Sequence, residues 1–424
     1  MGFFDRLFGD KAKPNTPAIT AKRDITYQQG FDAGLVPLPT SSGVTVDERT
    51  ALGLPPLWAG IRIISADVGS LEPVLYREQA NGQREPAVNH PVYRLLCDEP
   101  NPEQTRPVVF ETLMFFALLH GAAFAEIVRD GAGRPQALWP IHPRNVRIGR
   151  DANGELVYQV TITLADGMPG EAGRQITLSK EDILCVPGLS ADGTGVAYSL
   201  LRIARETLGF GVATQRYGAG FFANAARPGG VLEAQGQLND NAKENLRRSW
   251  QSLHSGTDNV GKVAILEEGL KFTPFTFSNE QNQYKDVLDW YGYQVAQLLC
   301  IPPTKIGVLG RATWSNIDAL SQDYLTTTLR PWLEKFEAEF EKKLLTPTER
   351  NQGYYVEYDT TALLRADISS RSAFYSSAIN TGWMTTNEVR ARENLPPVEG
   401  GDVLRVPLNT GPMTSNPEPA KVAA

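Results

Sequence analysis

The segment Gly256–Lys262 is the part of the sequence most like a nucleotide site, because its spacing matches the GxxxxGK pattern of a phosphate-binding loop. In such a loop a Ser or Thr follows the lysine and its hydroxyl binds Mg²⁺, but position 263 is Val. The context is also reversed. This segment follows a predicted helix and opens a strand, whereas phosphates need the N-terminus of a helix that comes next. A glycine-rich turn is the better interpretation.

Other patterns that could support catalysis are incomplete. Ser190 lies in a segment that resembles a nucleophile elbow, but Asp192 stands where the second glycine should be. Glu267 and Glu268 are adjacent in a predicted strand, so their carboxylates point to opposite faces. The four histidines share no metal-ligand spacing: His90, His120, His142 and His254. The sequence therefore predicts no catalytic residue, no cofactor-binding residue and no metal-binding residue.

The charge balance limits how the chain could interact with nucleic acid. The 424 residues include 41 Lys and Arg against 48 Asp and Glu, which gives a net charge of −7. Tight nonspecific DNA binders place many cations on phosphates and are usually basic. Strong DNA gripping is therefore disfavoured, whereas a surface that only lets DNA pass is compatible. The three cysteines form no CxxC pair, so we expect free thiols in a reducing cytoplasm.

Helical periodicity dominates the first third of the chain. Apolar residues recur at helical spacing over residues 57–71, and a second helix is predicted over residues 108–128. The most apolar stretch, residues 112–125, is shorter than the ~20 residues that cross a bilayer, so we interpret it as part of a buried helix. Residues 10–50 are rich in Pro, Gly, Thr and Ser and are predicted to form an extended arm.

Residues 135–187 alternate short apolar runs with turn residues and predict a small, mostly antiparallel sheet. Asn153-Gly154 and Asp166-Gly167 lie where hairpins would turn. Further on, strands are predicted in GGVLEA, KVAILE, LKFTPFTF and YYVEYD, with a helix over 239–254 between the first two.

Long helices are predicted over residues 198–224, 279–299 and 315–345, the last with a kink at Pro331. Four glycines in the first of them, Gly209, Gly211, Gly218 and Gly220, each cost roughly 1 kcal/mol against Ala, which indicates close approach of neighbouring helices. A helix broken into two shorter ones is the alternative. The final helices, 367–380 and 386–394, include a capping box at Thr385–Glu388.

The order of these landmarks resembles the portal protein family of tailed phages. The similarity covers roughly residues 55–407 and lies in a series of segments rather than in one motif. Five of them are LWAGIRIISADVGSLEPVLY, HPVYRLLCDEPNPEQT, ALWPIHPRNVRI, QLLCIPPTKIGVL and TGWMTTNEVRARENLPPVEGGDVLRVP.

This resemblance implies an α+β portal-protein fold with wing, helical stem, small α/β clip and helical crown, assembling into a ring. The implied regions are a flexible N-terminal arm (1–24), the wing (25–194 and 315–365), two stem helices (195–225 and 279–300), the clip (226–278), a tunnel loop (301–314), the crown (366–407) and a disordered tail (408–424).

The resemblance also implies function and partners. A portal ring, expected to be a dodecamer of this chain, would occupy one capsid vertex of the virion after assembly in the host cytoplasm. It would bind the large terminase subunit, a head-tail adaptor, and the major capsid and scaffold proteins. Double-stranded DNA would pass without sequence specificity, no membrane would be involved, and the chain would not be an enzyme. The alternatives are another neck or baseplate ring component, or a nucleotide-binding ATPase.

Two sets of residues would then meet partners. In the tunnel loop, the candidates for DNA contact are Lys305, Ile306, Val308, Leu309 and Arg311. A buried apolar loop with two solvated cations explains this segment equally well. In the clip, the candidates for docking a partner protein are Lys243, Arg247 and Arg248, for which a solvated helix face is the simpler interpretation.

Overall fold

The structure is a computed structural model. It describes residues 26–27, 38–79, 83–161, 174–189, 197–223, 230–233, 239–241, 243–246, 248, 271–274, 280–308, 322–360, 368–393 and 395–404. Contacts divide the chain into two units, residues 1–359 and residues 360–424.

The strands, in chain order, are β1 (Thr26–Tyr27), β2 (Leu38–Pro39), β3 (Thr45–Val46), β4 (Glu72–Glu78), β5 (Arg84–Pro86), β6 (Ala122–Arg129), β7 (Pro135–Ile141), β8 (Val146–Arg150), β9 (Leu156–Thr161), β10 (Gln175–Ser179), β11 (Ile183–Pro187), β12 (Gly230–Glu233), β13 (Lys271–Pro274) and β14 (Tyr354–Asp359).

The α-helices are α1 (Glu48–Leu52), α2 (Pro55–Ser70), α3 (Pro91–Cys97), α4 (Arg106–His120), α5 (Leu200–Ile203), α6 (Arg205–Ala223), α7 (Glu280–Leu298), α8 (Arg330–Leu344), α9 (Pro347–Asn351), α10 (Ile368–Asn380) and α11 (Thr386–Arg392). Residues 240–241, 243–246 and 248 are also helical. None of the helices among the described residues is long and apolar enough to cross a membrane.

Helix α2 confirms the predicted amphipathic helix. Its apolar positions Leu57, Ile61, Ile64 and Val68 are fully buried and pack against α4. The two helices approach closely near Gly69, where an added Cβ would lie 2.8 Å from the carbonyl oxygen of Pro107. Helices α2 and α4 therefore pack tightly as a pair through this apolar face.

The predicted helix over residues 108–128 is wrong in its second half, because α4 ends at His120. Gly121 adopts φ +82° and donates its N–H to Ala117, which closes the helix, and an added Cβ would lie 2.5 Å from the carbonyl oxygen of Tyr198. Residues 122–129 instead form the central strand β6, which is buried on both faces. Periodicity does not distinguish such a strand from a buried helix.

The predicted single small sheet is in fact two antiparallel sheets, with strand orders β1-β8-β9-β10 and β11-β6-β7. Their facing apolar side chains form one core cluster around Phe124, Ile148 and Tyr158. The predicted hairpin at Gly154 is confirmed, because Gly154 adopts φ +81° and donates to Asp151. Asp166-Gly167 lies outside the described residues.

The prediction of an extended arm up to residue 50 is wrong for its last part. Strands β2 and β3 form a short hairpin, and α1 follows with a capping box between Asp47 and Thr50. Val44 and Val46 are buried, which anchors the hairpin. The rest of the predicted arm lies outside the described residues except for β1, which pairs with β8.

Helix α8 lies between two sheet edges. Its apolar residues Leu333, Phe336, Phe340 and Leu344 recur at helical spacing and are all buried. A π-helix, Tyr324–Leu329, leads into it, and there Arg330 donates its N–H to Leu325. Pro331 has no N–H and crowds the carbonyl one turn earlier, so the wider turn beside it is the expected adjustment.

Three carboxylates of α8 accept hydrogen bonds from the backbone of the strands that it covers. Glu337 accepts from Tyr358 N–H at 2.8 Å and Glu341 from Val356 N–H at 3.1 Å, both on the edge strand β14. Glu339 lies on the other side of the helix and accepts from Cys185 N–H on β11 at 3.1 Å. The helix thus provides acceptors for edge amides that water would otherwise have to satisfy.

The second unit is described by α10, α11 and the turn that follows. The predicted capping box of α11 is confirmed, since the Thr385 hydroxyl accepts from Glu388 N–H and the Glu388 carboxylate accepts from Thr385 N–H. Asn387 then fixes the following turn by donating to Asp402 at 2.9 Å. Ala378 and Met384 are buried.

Candidate stem, tunnel-loop and clip surfaces

The predicted helix over residues 198–224 is interrupted at its start. Helix α5 spans four residues, Leu200–Ile203, and is capped by Ser199, whose hydroxyl accepts from Arg202 N–H at 3.2 Å. A turn at Ala204 separates it from α6, which is the long helix. The helix predicted over residues 279–299 is confirmed as α7, Glu280–Leu298, and its assignment to a stem stays a prediction.

Glycines of α6 allow the two long helices to approach. A Cβ at Gly211 would collide with the ring of Tyr291, and one at Gly218 with the hydroxyl of Tyr284, both from α7. The close approach predicted for these glycines is therefore confirmed. Gly209 faces Thr40 of the β2–β3 hairpin instead, at 2.5 Å from an added Cβ, and Gly220 has nothing within 4 Å.

Four apolar residues of α5, α6 and the turn between them are buried, at spacings of three or four residues. Leu201, Ala204, Leu208 and Val212 are buried, but Gln215 is exposed and donates to the Gly53 carbonyl at 3.4 Å. Its amide contacts the end of α1 rather than a core.

Aromatic side chains remain exposed on this helix pair. Phe210 and Trp290 meet edge-to-face with ring centroids 5.5 Å apart, yet they are 36% and 52% exposed. Tyr217, one heptad after Phe210, and Tyr293, one turn after Trp290, are exposed as well. We call these four residues the stem aromatic face. Clustered exposed aromatics of this kind are typical of surfaces that bind another protein.

The described part of the predicted tunnel loop is folded onto the helices. Residues Pro303–Ile306 form a 3₁₀ helix, and Gly307 follows with φ +87°. Val308 packs against α7, since an added Cβ on Gly292 would lie 2.6 Å from it, and Ile306 packs near Gly60 of α2. Leu309 and Arg311 lie outside the described residues.

Lys305 has partners within its own chain. Its ammonium lies 3.7 Å from the carboxylate of Asp67 and 4.1 Å from the ring centroid of Tyr324. The Tyr324 hydroxyl donates to the same carboxylate at 2.7 Å, and burial raises the pKa of that hydroxyl. Lys305, which is predicted to contact DNA, thus belongs to a small network with Asp67 and Tyr324 of its own chain. Its contact with DNA stays a prediction.

The predicted docking residues of the clip lie on an exposed helical segment. Lys243 pairs with Asp240 at 3.2 Å, and Arg248 pairs with Glu244 at 3.8 Å. Arg247 lies outside the described residues. The neighbouring strands β12 and β13 form an antiparallel pair with Leu232 opposite Phe272. The exposed pairs fit a solvated helix face, and docking of a partner there stays a prediction.

The sequence patterns that resemble enzyme sites all lie outside the described residues. They comprise Gly256–Lys262, Ser190, Asp192, Glu267 and Glu268. The described His90 has a structural role. Its Nδ1 accepts from Val92 N–H at 3.2 Å and so caps α3, and its Nε2 lies 2.9 Å from the Glu349 carboxylate. These two contacts account for both ring nitrogens.

Comparison with known proteins agrees with this architecture. The chain is 28% identical over 439 aligned residues to the probable portal protein of Streptomyces phage phiC31, covering 99% of this chain and 91% of the relative. Its fold resembles the neck of a native gene transfer agent particle computed with C12 symmetry (TM-score 0.57, 21% identity, 87% of this chain and 97% of that one).

A second solved structure gives the same result. An HK97-family phage portal protein from Corynebacterium diphtheriae superposes with a TM-score of 0.54 at 15% identity, over 77% of this chain and all of that one. The sequence itself matches the family described as phage portal protein over residues 55–394, which is most of its length. The mixed helix and sheet architecture is therefore the α+β portal fold, and the chain belongs to the phage portal protein family.

Proposed function

We propose that this chain is one subunit of a ring at one capsid vertex, through which double-stranded DNA enters and leaves the phage head. The observation that carries the proposal is the family match over residues 55–394. The similar neck computed with C12 symmetry supports a ring of about twelve copies. The protein would then be located in the virion, after assembly in the host cytoplasm.

The charges of the long-helix pair support a head-to-tail contact between subunits. A closed ring needs two different, complementary patches on each subunit. On α5 and α6 the exposed cations Arg202, Arg205 and Arg216 outnumber the exposed anion Glu206, whereas on α7 the exposed anions Asp286 and Asp289 outnumber the exposed cation Lys285. Helix α6 of one subunit would face α7 of the next, because this arrangement pairs opposite charges around the whole ring.

The stem aromatic face would form the apolar centre of the same contact. Interface centres are enriched in Trp, Tyr and Phe, and truncation of such residues carries much of the binding free energy. The Phe210–Trp290 pair is already ordered within one subunit by its edge-to-face contact. Little side-chain entropy would therefore be lost when a second copy covers it.

The channel would guide DNA rather than grip it. The net charge of −7 leaves few cations for phosphate contacts, and tight counterion-releasing contacts would slow translocation. The tunnel loop, residues 301–314, would reach toward the DNA with Lys305, Ile306, Val308, Leu309 and Arg311. Lys305 would first have to leave its network with Asp67 and Tyr324.

The clip, residues 226–278, would dock the large terminase subunit during packaging and the head-tail adaptor afterwards, through Lys243, Arg247 and Arg248. The wing, residues 25–194 and 315–365, would meet the major capsid and scaffold proteins. The stem, residues 195–225 and 279–300, would surround the channel, and residues 366–407 would form the crown. ATP hydrolysis would belong to the terminase, so the chain itself acts as a non-enzymatic assembly component.

The experiment that tests this proposal is deletion of the gene from the phage that encodes it, with nuclease-resistant DNA measured in the resulting particles. We expect capsids without packaged DNA, and restoration when the chain is supplied from a plasmid. DNA-filled heads that lack tails would instead identify a neck or baseplate component and overturn the proposal.

A second measurement separates the proposal from the nucleotide-binding alternative. The purified chain should show no ATP hydrolysis above a buffer control. ATPase activity that disappears in Lys262→Ala would mean that the Gly256–Lys262 segment is a working phosphate-binding loop, and would contradict a non-enzymatic role.

A further inference from the structure

Three separated segments bring a carboxylate and two imidazoles together in the first unit. Glu48 is the first residue of α1, His120 is the last residue of α4, and His142 precedes the 3₁₀ turn Pro143–Asn145. One donor atom from each of the three side chains lies within 4.8 Å of the other two. The two imidazole rings have centroids 5.1 Å apart, and His120 Nε2 lies 3.8 Å from a Glu48 carboxylate oxygen.

The surroundings hold this group in place. Gly121 ends α4 directly after His120, and the Asp47–Thr50 capping box fixes the start of α1 at Glu48. The side chain of His120 is fully buried, whereas that of Glu48 is 21% exposed and His142 is half-buried. The ring of Phe116 lies against both imidazoles, with centroids 6.1 Å from His120 and 4.9 Å from His142. The group is therefore shielded on one side and reached by solvent on the other.

We propose that Glu48, His120 and His142 form a zinc site, with water as the fourth ligand. Two imidazole nitrogens and one carboxylate oxygen are a common protein ligand set for Zn²⁺, which binds nitrogen at ≈ 2.0–2.1 Å and takes tetrahedral geometry. Ligands in this geometry are about 3.3 Å apart, so donor atoms up to 4.8 Å apart have to draw together by up to about 1.5 Å. Glu48, on a short helix and partly exposed, is the side chain best able to move.

Arg144 limits how tightly this site binds a cation. Its guanidinium lies 2.6 Å from a Glu48 carboxylate oxygen, and its backbone N–H donates to His142 Nδ1 at 3.2 Å. Zinc on His142 Nε2 would move the ring proton to Nδ1, and zinc on Nδ1 would replace the N–H donor directly. In both cases the N–H contact is lost on loading. The nearby positive charge also repels the ion, so removing it should strengthen binding.

The test is calorimetric titration of the full-length, EDTA-stripped chain with ZnCl₂. One zinc per chain is expected. His142→Ala and Glu48→Gln should each weaken zinc binding by more than about 100-fold, because losing a ligand costs more than the 10–100-fold loss that follows when a residue that only orients a ligand is changed. Arg144→Gln should strengthen it roughly tenfold, because a repulsive charge is removed. His90→Ala is the matched control, since His90 and Glu349 are also a histidine–glutamate pair, 2.9 Å apart, outside this group.

A spectroscopic readout keeps the proposal testable if a variant unfolds. Co²⁺ bound at a tetrahedral site gives visible absorption bands, which should appear with the wild-type chain and be lost in Glu48→Gln. Circular dichroism of each zinc-free variant establishes that it is folded. A wild-type chain that binds no zinc, or one whose affinity is unchanged by His142→Ala and Glu48→Gln, overturns the proposal.

Discussion

At the scale of single residues, the carboxylates of α8 have the clearest energetic role. Glu337 accepts from Tyr358 N–H on an edge strand that would otherwise have an unpaired amide beneath a helix. Glu337→Gln keeps an acceptor oxygen, so the free energy of unfolding should stay within about 0.5 kcal/mol of wild type. Glu337→Leu removes the acceptor and should lower it by about 1–3 kcal/mol. Urea denaturation followed by circular dichroism measures both; equal losses in the two variants would contradict this role.

The same carboxylates predict a pH dependence. Burial raises the pKa of Glu337 and of Glu339 above the ordinary value of 4.5. Between 4.5 and the raised values the native state holds more protons than the unfolded chain, so these residues lower the free energy of unfolding as pH rises through that window. The double variant Glu337→Gln/Glu339→Gln should remove this decrease. Denaturation of wild type and variant from pH 4 to pH 7 checks it, and parallel curves would contradict it.

At the scale of elements, the glycines of α6 provide an internal comparison. Gly211→Ala places a methyl group against the buried ring of Tyr291, so the ring or the helices must shift, at a cost of about 1–3 kcal/mol. Gly220→Ala has open space and should instead raise the free energy of unfolding, by up to about 1 kcal/mol, through helix propensity. Chemical denaturation of the two variants should show shifts of opposite sign. Stabilisation by Gly211→Ala would mean that α6 and α7 do not approach as described.

Elements specified by local signals were predictable from the sequence. The apolar spacing of α2 and the Thr385–Glu388 capping box act within one or two turns, so each element follows from its own residues. The end of α4 at His120 was missed because residues 122–128, all apolar except Glu126, are buried on both faces, as in a central strand. The Glu337 and Glu339 contacts were not predictable either, because they depend on which sheet edges α8 meets.

The candidate surfaces likewise include features that the sequence predicts and features that only the folded chain reveals. Close approach at Gly211 and Gly218 could be inferred from the cost of glycine in a helix. The stem aromatic face was not predicted, since exposure of Phe210 and Trp290 is known only once the core is assembled. The grouping of Glu48, His120 and His142 arises from segments that are distant in the chain, so no ligand spacing indicates it.

At the scale of the whole molecule, the proposed subunit contact predicts a specific loss of assembly. Trp290→Ser removes the centre of the stem aromatic face and should shift the purified chain from rings to monomers and short oligomers, at about 2 kcal/mol or more per contact. Trp383→Ser is the matched control, because Trp383 is a similarly exposed tryptophan, 55% against 52%, in the second unit. Size-exclusion chromatography with light scattering measures both. If both variants lost their rings, the proposal that α6 and α7 form the subunit contact would be contradicted.

The central claim, that the chain is a portal subunit, is tested most directly by native mass spectrometry of the full-length protein. We expect a closed species of about twelve chains, the symmetry of the similar neck structure. Negative-stain images of the same sample should show rings with an axial hole wide enough for duplex DNA. A chain that stays monomeric at micromolar concentration, or forms open filaments without a hole, would contradict the claim.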